Sequence, residues 1–376
     1  MDFDYVVLPA IILLVGILIV GLSVRRILSL STKGYRTWRK VVERIVLSVV
    51  ILSAAVVAGS SAYNAIALYR FWTANPPPGA FYSINGHRMH MNCTGSGSPA
   101  IILESGLGND ALIWGGVQPE LAKTTRVCSY DRAGFGWSDA LPAPRDADHI
   151  AGELHELLLQ AKVTGPIVLM GHSIAGIYIR DYATRYPADL VGIVFVDASS
   201  PLQDENHAMK AMSAKGPPQW ASVLLQRSAL IAGLPRLIGM CSQRMPRFET
   251  HASQMQAEDL CQLRVGAMAA EADSFNRSGK ETVHTGPYGA LPILIFSQDT
   301  AKMHNGMSTD LANAWNKMQE DLKKLSTHSR RIIAIGSSHY VQIDSSLLIE
   351  REVSLFIEQL RGTAAQPADY GSTITE

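Results

Sequence analysis

Ser173 is the residue whose neighbours best suit it to nucleophilic chemistry. It follows the apolar run Val168-Leu169-Met170 and stands in Gly171-His172-Ser173-Ile174-Ala175-Gly176, ahead of the helix-like Ile177-Tyr178-Ile179-Arg180-Asp181-Tyr182. A buried strand, a sharp turn and a helix in that order form a nucleophile elbow. The turn lifts a serine hydroxyl out of the sheet, and the helix N-terminus favours nearby negative charge. A serine hydroxyl is a poor nucleophile at neutral pH and needs an adjacent base to take its proton as it attacks. The string departs from Gly-x-Ser-x-Gly at Ala175, with the glycine displaced to Gly176, so one extra methyl must fit where the turn passes neighbouring backbone. Metal chemistry has little to stand on. His149 and His155 are six apart rather than four, no His-Glu-x-x-His occurs, and Cys93, Cys128, Cys241 and Cys261 show no Cys-x-x-Cys spacing. No metal or cofactor is expected.

The elements that must position this turn begin near residue 81. Tyr82 to Asn92, broken at Asn85-Gly86, reads as a hairpin with a two-residue turn. Strands follow at Ala100 to Leu103, Arg126 to Tyr130, Ile167 to Met170, Ile193 to Val196, Ile293 to Phe296 and Arg331 to Ile335, with helical patterns at 110–123, 147–162, 174–186, 308–324 and 345–361. Continuously apolar strands alternating with helices predict an α/β fold around one central, mostly parallel sheet. The stretch from about 200 to 288 breaks the alternation and reads as a helical cap inserted between two strands. Its methionines could fill an apolar substrate channel or pack the cap on the body.

Three more strand ends give Ser173 its context: Glu104-Ser105-Gly106-Leu107-Gly108-Asn109-Asp110, then Asp131-Arg132-Ala133-Gly134-Phe135-Gly136-Trp137-Ser138-Asp139, and the strand-end Asp299 and His339. With the elbow, these resemble the α/β-hydrolase superfamily, in its capped esterase, proline iminopeptidase and haloperoxidase-like branch, over roughly residues 82 to 361. The resemblance implies a Ser, Asp, His triad in chain order. Ser173 takes the nucleophile's place and His339, in the loop after the last of those strands, that of the base. Asp299, after Ile293 to Phe296, takes the acid's place, with Asp197 as its competitor because some relatives place the acid one strand earlier. The oxyanion donors by family position are the backbone N–H groups of Leu107 and Ile174. The loop has Ser105-Gly106-Leu107 rather than the common His-Gly-x, and Glu104 before it is expected to brace it or to contact substrate. His172 is expected to pack within the turn, and Asp131 and Arg132 to shape their own loop. Cys93 and Cys128 fall on strands that neighbour one another in this family, and Cys241 and Cys261 both lie in the cap. Two disulfides in those pairs are therefore a hypothesis.

Charge and hydropathy describe the remainder. The net charge is zero, but residues 1 to 72 hold eight Lys or Arg against three acids and leave 25 basic against 30 acidic residues elsewhere. A mildly acidic body with no basic stripe speaks against nucleic acid as a partner. Residues 6–24 and 45–68 are apolar runs long enough to cross about 30 Å of hydrocarbon as helices. Asp2 and Asp4 precede the first run, which argues against a cleaved signal peptide. Arg25, Arg26, Lys33, Arg36, Arg39, Lys40 and Arg44 lie between the runs, so the positive-inside rule puts that loop in the cytoplasm and the body in a periplasm or extracellular space. Ala54, Ala55, Ala58, Gly59 and Ala62 let the two helices approach closely. Tyr35 and Trp38 mark the inner interface; Tyr69, Phe71 and Trp72 mark the outer one.

The expected organisation is a two-helix transmembrane hairpin (1–72), a Pro-rich linker (73–80), the hydrolase domain (81–362) and a disordered tail (363–376). The expected activity is membrane-anchored ester hydrolysis on a hydrophobic acyl substrate through an acyl-enzyme on Ser173. The alternatives are an aminopeptidase of proline iminopeptidase type, which needs cap acids such as Glu249, Glu258 or Asp259 to hold an amine, carbon–carbon bond hydrolysis, and a silent hydrolase fold used as a receptor.

Overall fold

The computed structural model describes residues 3–32, 37–201, 203–207, 209–210, 219–243, 250–262, 265–302 and 308–376. In chain order the elements are α1 (Phe3–Thr32), α2 (Thr37–Ala74), β1 (Ala80–Ile84), β2 (His87–Thr94), β3 (Ala100–Glu104), α3 (Gln118–Leu121), β4 (Val127–Tyr130), α4 (Ala147–Gln160), β5 (Ile167–His172), α5 (Ala175–Arg185) and β6 (Leu190–Val196). After these come α6 (Gln219–Ile231), α7 (Leu234–Leu237), α8 (Thr250–Asp259), α9 (Val265–Thr282), β7 (Ile293–Ser297), α10 (Thr309–Asp321), β8 (Ser329–Ile333), α11 (Val341–Asp344), α12 (Ser346–Arg361) and β9 (Thr373–Thr375). They divide between two compact units. One holds residues 1–76, 218–244 and 254–265, and the other holds the rest. The cap is therefore not one piece, because two of its stretches group with α1 and α2.

In the first unit, α1 and α2 are each long and apolar enough to cross a membrane. They meet where Gly16 faces Ala58; a Cβ on Gly16 would stand 2.8 Å from the Ala58 methyl, so a larger residue would push the helices apart. Arg26 Nε donates to Glu43 Oε1 at 2.6 Å near the connecting loop. Of the aromatic residues expected at the ends of these helices, Trp38 and Tyr69 are exposed, Phe71 and Trp72 are half-buried, and Tyr35 lies outside the described residues. Cys241 and Cys261 are disulfide-bonded and packed with Leu68 of α2.

The second unit is a nine-stranded sheet in the order β1-β2-β4-β3-β5-β6-β7-β8-β9. The β1–β2 and β2–β4 pairings are antiparallel, and every other pairing is parallel. Asn85 and Gly86, both at positive φ (52° and 79°), close the opening hairpin as its two-residue turn requires. Every residue of β3, β4, β5 and β7 is buried, because helices cover both faces. Alternate side chains feed two cores: Leu169, Phe195 and Ile179 on one face, Val168, Met170, Phe296 and Trp114 on the other. Cys93 and Cys128, directly paired across β2 and β4, are joined as the second disulfide.

Two expectations are corrected. The 110–123 stretch is not one helix, because a single turn at Ala111–Trp114, capped by Asp110, ends at Gly115 before α3 begins. The tail does not stay out of the fold either. Arg331, Ile332 and Ile333 pair with Thr373, Ile374 and Thr375, so β9 covers what would otherwise be the open edge of β8. Polar composition hid a short β-prone segment with an unfilled edge to join.

Candidate active site

Parallel strands deliver their C-terminal ends to one edge of the sheet, and the candidate residues gather there. Ser173 follows β5 directly, at φ 56°. A non-glycine residue held in this region is strained, and the surroundings must hold it there. Its N–H donates to Val196 O at 3.1 Å, and its carbonyl accepts the Ser199 N–H at 2.8 Å and the Gly176 N–H at 2.9 Å. The elbow is thereby tied to the end of β6. The close approach falls at Gly176, where a Cβ would stand 2.5 Å from the Ala198 methyl and 3.1 Å from Ser199 O. Ala175 is buried with its methyl over Gly171, which explains why alanine is accommodated there and glycine is needed one position later.

Ser173 Oγ lies 2.9 Å from His339 Nε2. The other ring nitrogen, Nδ1, lies 2.6 Å from Asp197 Oδ2, so the carboxylate that orients His339 is Asp197 and not Asp299. Asp197 is wholly buried at φ 44°, and its Oδ1 accepts from the Gln298 N–H at 3.0 Å and the Trp315 indole N–H at 2.9 Å. A buried carboxylate with three hydrogen-bond partners is held in one orientation. Asp299 is placed elsewhere: its Oδ1 and Oδ2 accept the Ala301 and Gly336 N–H groups, each at 3.1 Å, and its own N–H donates to Ser337 O. It pins the loop that leads into His339. The physical reason is reach, for Gly336 and Ser337 near the start of that loop close on Asp299 while the imidazole turns back to Asp197 at the end of the neighbouring strand, β6.

His172 does more than pack. Its Nε2 lies 2.9 Å from the His339 carbonyl, its ring leans on those of His339 and Tyr340, and its Nδ1 is buried with no hydrogen-bond partner, facing Gly106. Burial, and then the proximity of His339, hold its pKa well below the usual histidine value. His172 is thus a neutral donor steadying the main chain at His339.

The glycine-rich loop is braced from below by ions. Arg132 Nη1 and Nη2 donate to the carbonyls of Ser105 and Gly106, while the same guanidinium binds Glu104 at 2.8 Å and Glu271 of α9 at 2.6 and 2.9 Å. Tyr130 adds its hydroxyl to Glu104. All three charged side chains are at most 1% exposed. Burial pushes the Glu104 carboxyl up; the Arg132 charge, opposed by the same burial, is held well above its ordinary range by Glu271 and Glu104. Glu104 therefore braces the loop, as the sequence suggests, and Arg132 reaches beyond its own loop to do so. Asp131 shapes its own loop, accepting the Ala111 and Trp137 N–H groups and holding His90. Among the described residues, neither the Leu107 N–H nor the Ile174 N–H donates a hydrogen bond to another protein group. Of the cap acids, Glu258 is committed to Arg236 within the first unit, and Glu249 lies outside the described residues.

The model of the alpha/beta hydrolase family matches residues 101–350. The chain belongs to the alpha/beta hydrolase family. An uncharacterized relative from Bacillus subtilis, YqjL, is 31% identical over 272 residues, 71% of this chain and 87% of its own. An uncharacterized protein of Schizosaccharomyces pombe is 46% identical over 84 residues, but the match spans 22% of this chain and 16% of that protein's length. Among solved structures, the enol-lactonase of Burkholderia xenovorans LB400 superposes with a TM-score of 0.53 at 20% identity, covering 73% of this chain and 98% of its own. That likeness establishes the alpha/beta hydrolase fold alone.

Proposed function

We propose that this alpha/beta hydrolase is a membrane-anchored serine hydrolase that cleaves carboxylic esters through an acyl-enzyme on Ser173. The observation that carries the proposal is the linked pair of contacts, Ser173 Oγ to His339 Nε2 at 2.9 Å and His339 Nδ1 to Asp197 Oδ2 at 2.6 Å. As Ser173 Oγ attacks the ester carbonyl carbon, its proton passes to Nε2, and Asp197 stabilises the imidazolium that forms. The N–H groups of Leu107 and Ile174 receive the oxyanion. His339 then returns the proton to the leaving alkoxide, and a water activated by the same nitrogen attacks the acyl-enzyme, releasing the acid and restoring Ser173.

Anchoring rests on α1 and α2, with the basic loop between them cytoplasmic. The catalytic unit then faces a periplasm or extracellular space, where the Cys93–Cys128 and Cys241–Cys261 disulfides persist. A hydrophobic acyl substrate suits an enzyme kept beside a bilayer. A fluorophosphonate probe tests the chemistry: the full chain should label and Ser173→Ala should not. Equal labelling of both, or none of the intact protein, points to a silent fold. A panel of esters and aminoacyl amides then separates ester from amide cleavage, and preference for the amides would overturn the ester assignment.

A further inference from the structure

The compact unit that contains α1 and α2 also carries a dense set of bare apolar side chains outside them. Among the described residues, eight large apolar side chains of residues 218–244 and 254–265 are exposed, against seven in the whole of the larger unit, so the exposure is concentrated. Trp220, Leu224 and Leu225 on α6 and Leu237 and Ile238 at the end of α7 are 52% to 72% exposed. A patch of this kind on a monomer needs a partner.

The register against α2 indicates which partner. The turn between α6 and α7 meets α2 at Ser60: Gly233 is at φ 72°, and a Cβ there would stand 2.5 Å from Ser60 O. Arg236 Nε donates to Asn64 Oδ1 at 2.7 Å, and Cys241 and Cys261 pack on Leu68. Ser60, Asn64 and Leu68 are successive turns on one face of α2, so the chain climbs about 12 Å along that helix between Gly233 and Cys241. The apolar run of α2 ends at Leu68. If that run spans the bilayer, the Gly233 turn lies about 12 Å below its outer end, inside the hydrocarbon. The charge at that level is neutralised, since Arg236 also binds both oxygens of Glu258 at 3.0 and 2.5 Å. An unpaired arginine would be costly there. Arg227, exposed in the second half of α6, has a stem long enough to reach the headgroups.

We infer, resting on the two-helix anchor proposed above, that the α6–α7 hairpin is a third membrane element, seated in the leaflet at the C-terminal end of α2 with its bare side chains against lipid acyl chains. The occupant of the patch is the bilayer, because the hairpin packs on α2 within the same compact unit, where α1 and α2 bare their own apolar side chains.

All four cysteines are paired, so a single added cysteine reports one position. Leu225→Cys, Ile238→Cys and, on α2, Val57→Cys are labelled with an environment-sensitive fluorophore in the full chain, in phosphatidylcholine vesicles whose lipids carry nitroxide on the acyl chain or on the headgroup. Fluorophosphonate labelling of Ser173 verifies that each variant is folded. At positions 225 and 238, acyl-chain nitroxide should remove about half the emission, as burial by a few ångströms below the headgroups requires. Emission there that ignores the nitroxide overturns the inference. If Val57→Cys is quenched in the same vesicles, the anchor survives that result; if it is not, the anchor falls too. Self-quenching between copies without quenching by lipid would assign the patch to a second copy of the chain and equally overturn it.

Discussion

Asp197 Oδ2 lies 2.6 Å from His339 Nδ1, and Asp197 itself is wholly buried under the Trp315 indole and the Gln298 N–H. An isosteric amide at this position would keep the packing but favour the wrong imidazole tautomer. Asp197→Asn should therefore lower kcat toward a p-nitrophenyl ester by about 10³- to 10⁴-fold with little change in KM. Asp299→Asn, which disturbs one of two loop hydrogen bonds, should cost about 1 kcal/mol of stability and less than about tenfold in kcat. Comparable losses for the two variants, or the reverse order, would refute the assignment of Asp197.

Gly176 and Ala198 set the tolerance of the elbow. A methyl at 176 would stand 2.5 Å from the Ala198 Cβ, and Ala198 adjoins Asp197. Gly176→Ala should thus cost about 1–3 kcal/mol by overpacking and should also lower kcat by moving the carboxylate. Ala175→Gly removes a methyl that already fits and should cost no more than about 1 kcal/mol, through helix propensity. Thermal melts and ester kinetics on both variants check this; a silent Gly176→Ala would show that the β6 loop yields freely.

Which features were legible in sequence follows from how local each one is. The elbow at Ser173, the hairpin turn at Asn85-Gly86 and the apolar strands are written in contiguous residues, and the fold followed from them. The carboxylate was not legible in this way. Asp197 and Asp299 each follow a buried apolar strand, and what separates them is the path of the loop carrying His339 and the indole of Trp315, more than a hundred residues away from Asp197. The brace between Arg132 and Glu271 joins segments 139 residues apart and leaves no spacing to read. The division of the cap between two units was hidden for the same reason, since only the folded chain brings Gly233 to Ser60.

Arg132 is the shared partner of Glu104 and Glu271 and of two carbonyls in the glycine-rich loop. Removing it strands two buried carboxylates, so Arg132→Met should destabilise the protein by about 3–5 kcal/mol. The double variant Arg132→Met/Glu271→Gln should recover part of that loss. Arg132→Lys retains the charge but not the planar fork, so it should fold better than Arg132→Met yet keep a lowered kcat from a loosened glycine-rich loop. Denaturant titrations give the order; no recovery in the double variant would mean that the loop carbonyls, not the carboxylates, dominate.

His172 provides a pH signature. Burial, with His339 close by, holds its pKa below the unfolded value of about 6.5, so on acidification the unfolded chain takes up a proton that the folded chain refuses. The stability from keeping His172 neutral is whole above about pH 6.5 and declines as pH falls below it. His172→Gln can still donate to the His339 carbonyl but cannot titrate. Between about pH 7.5 and about pH 5 the melting temperature of the parent protein should fall more steeply than that of His172→Gln, and the two should converge toward acid. Parallel curves across this range would mean that His172 takes up its proton without cost and that its unpartnered Nδ1 finds an acceptor as the loop around Gly106 adjusts.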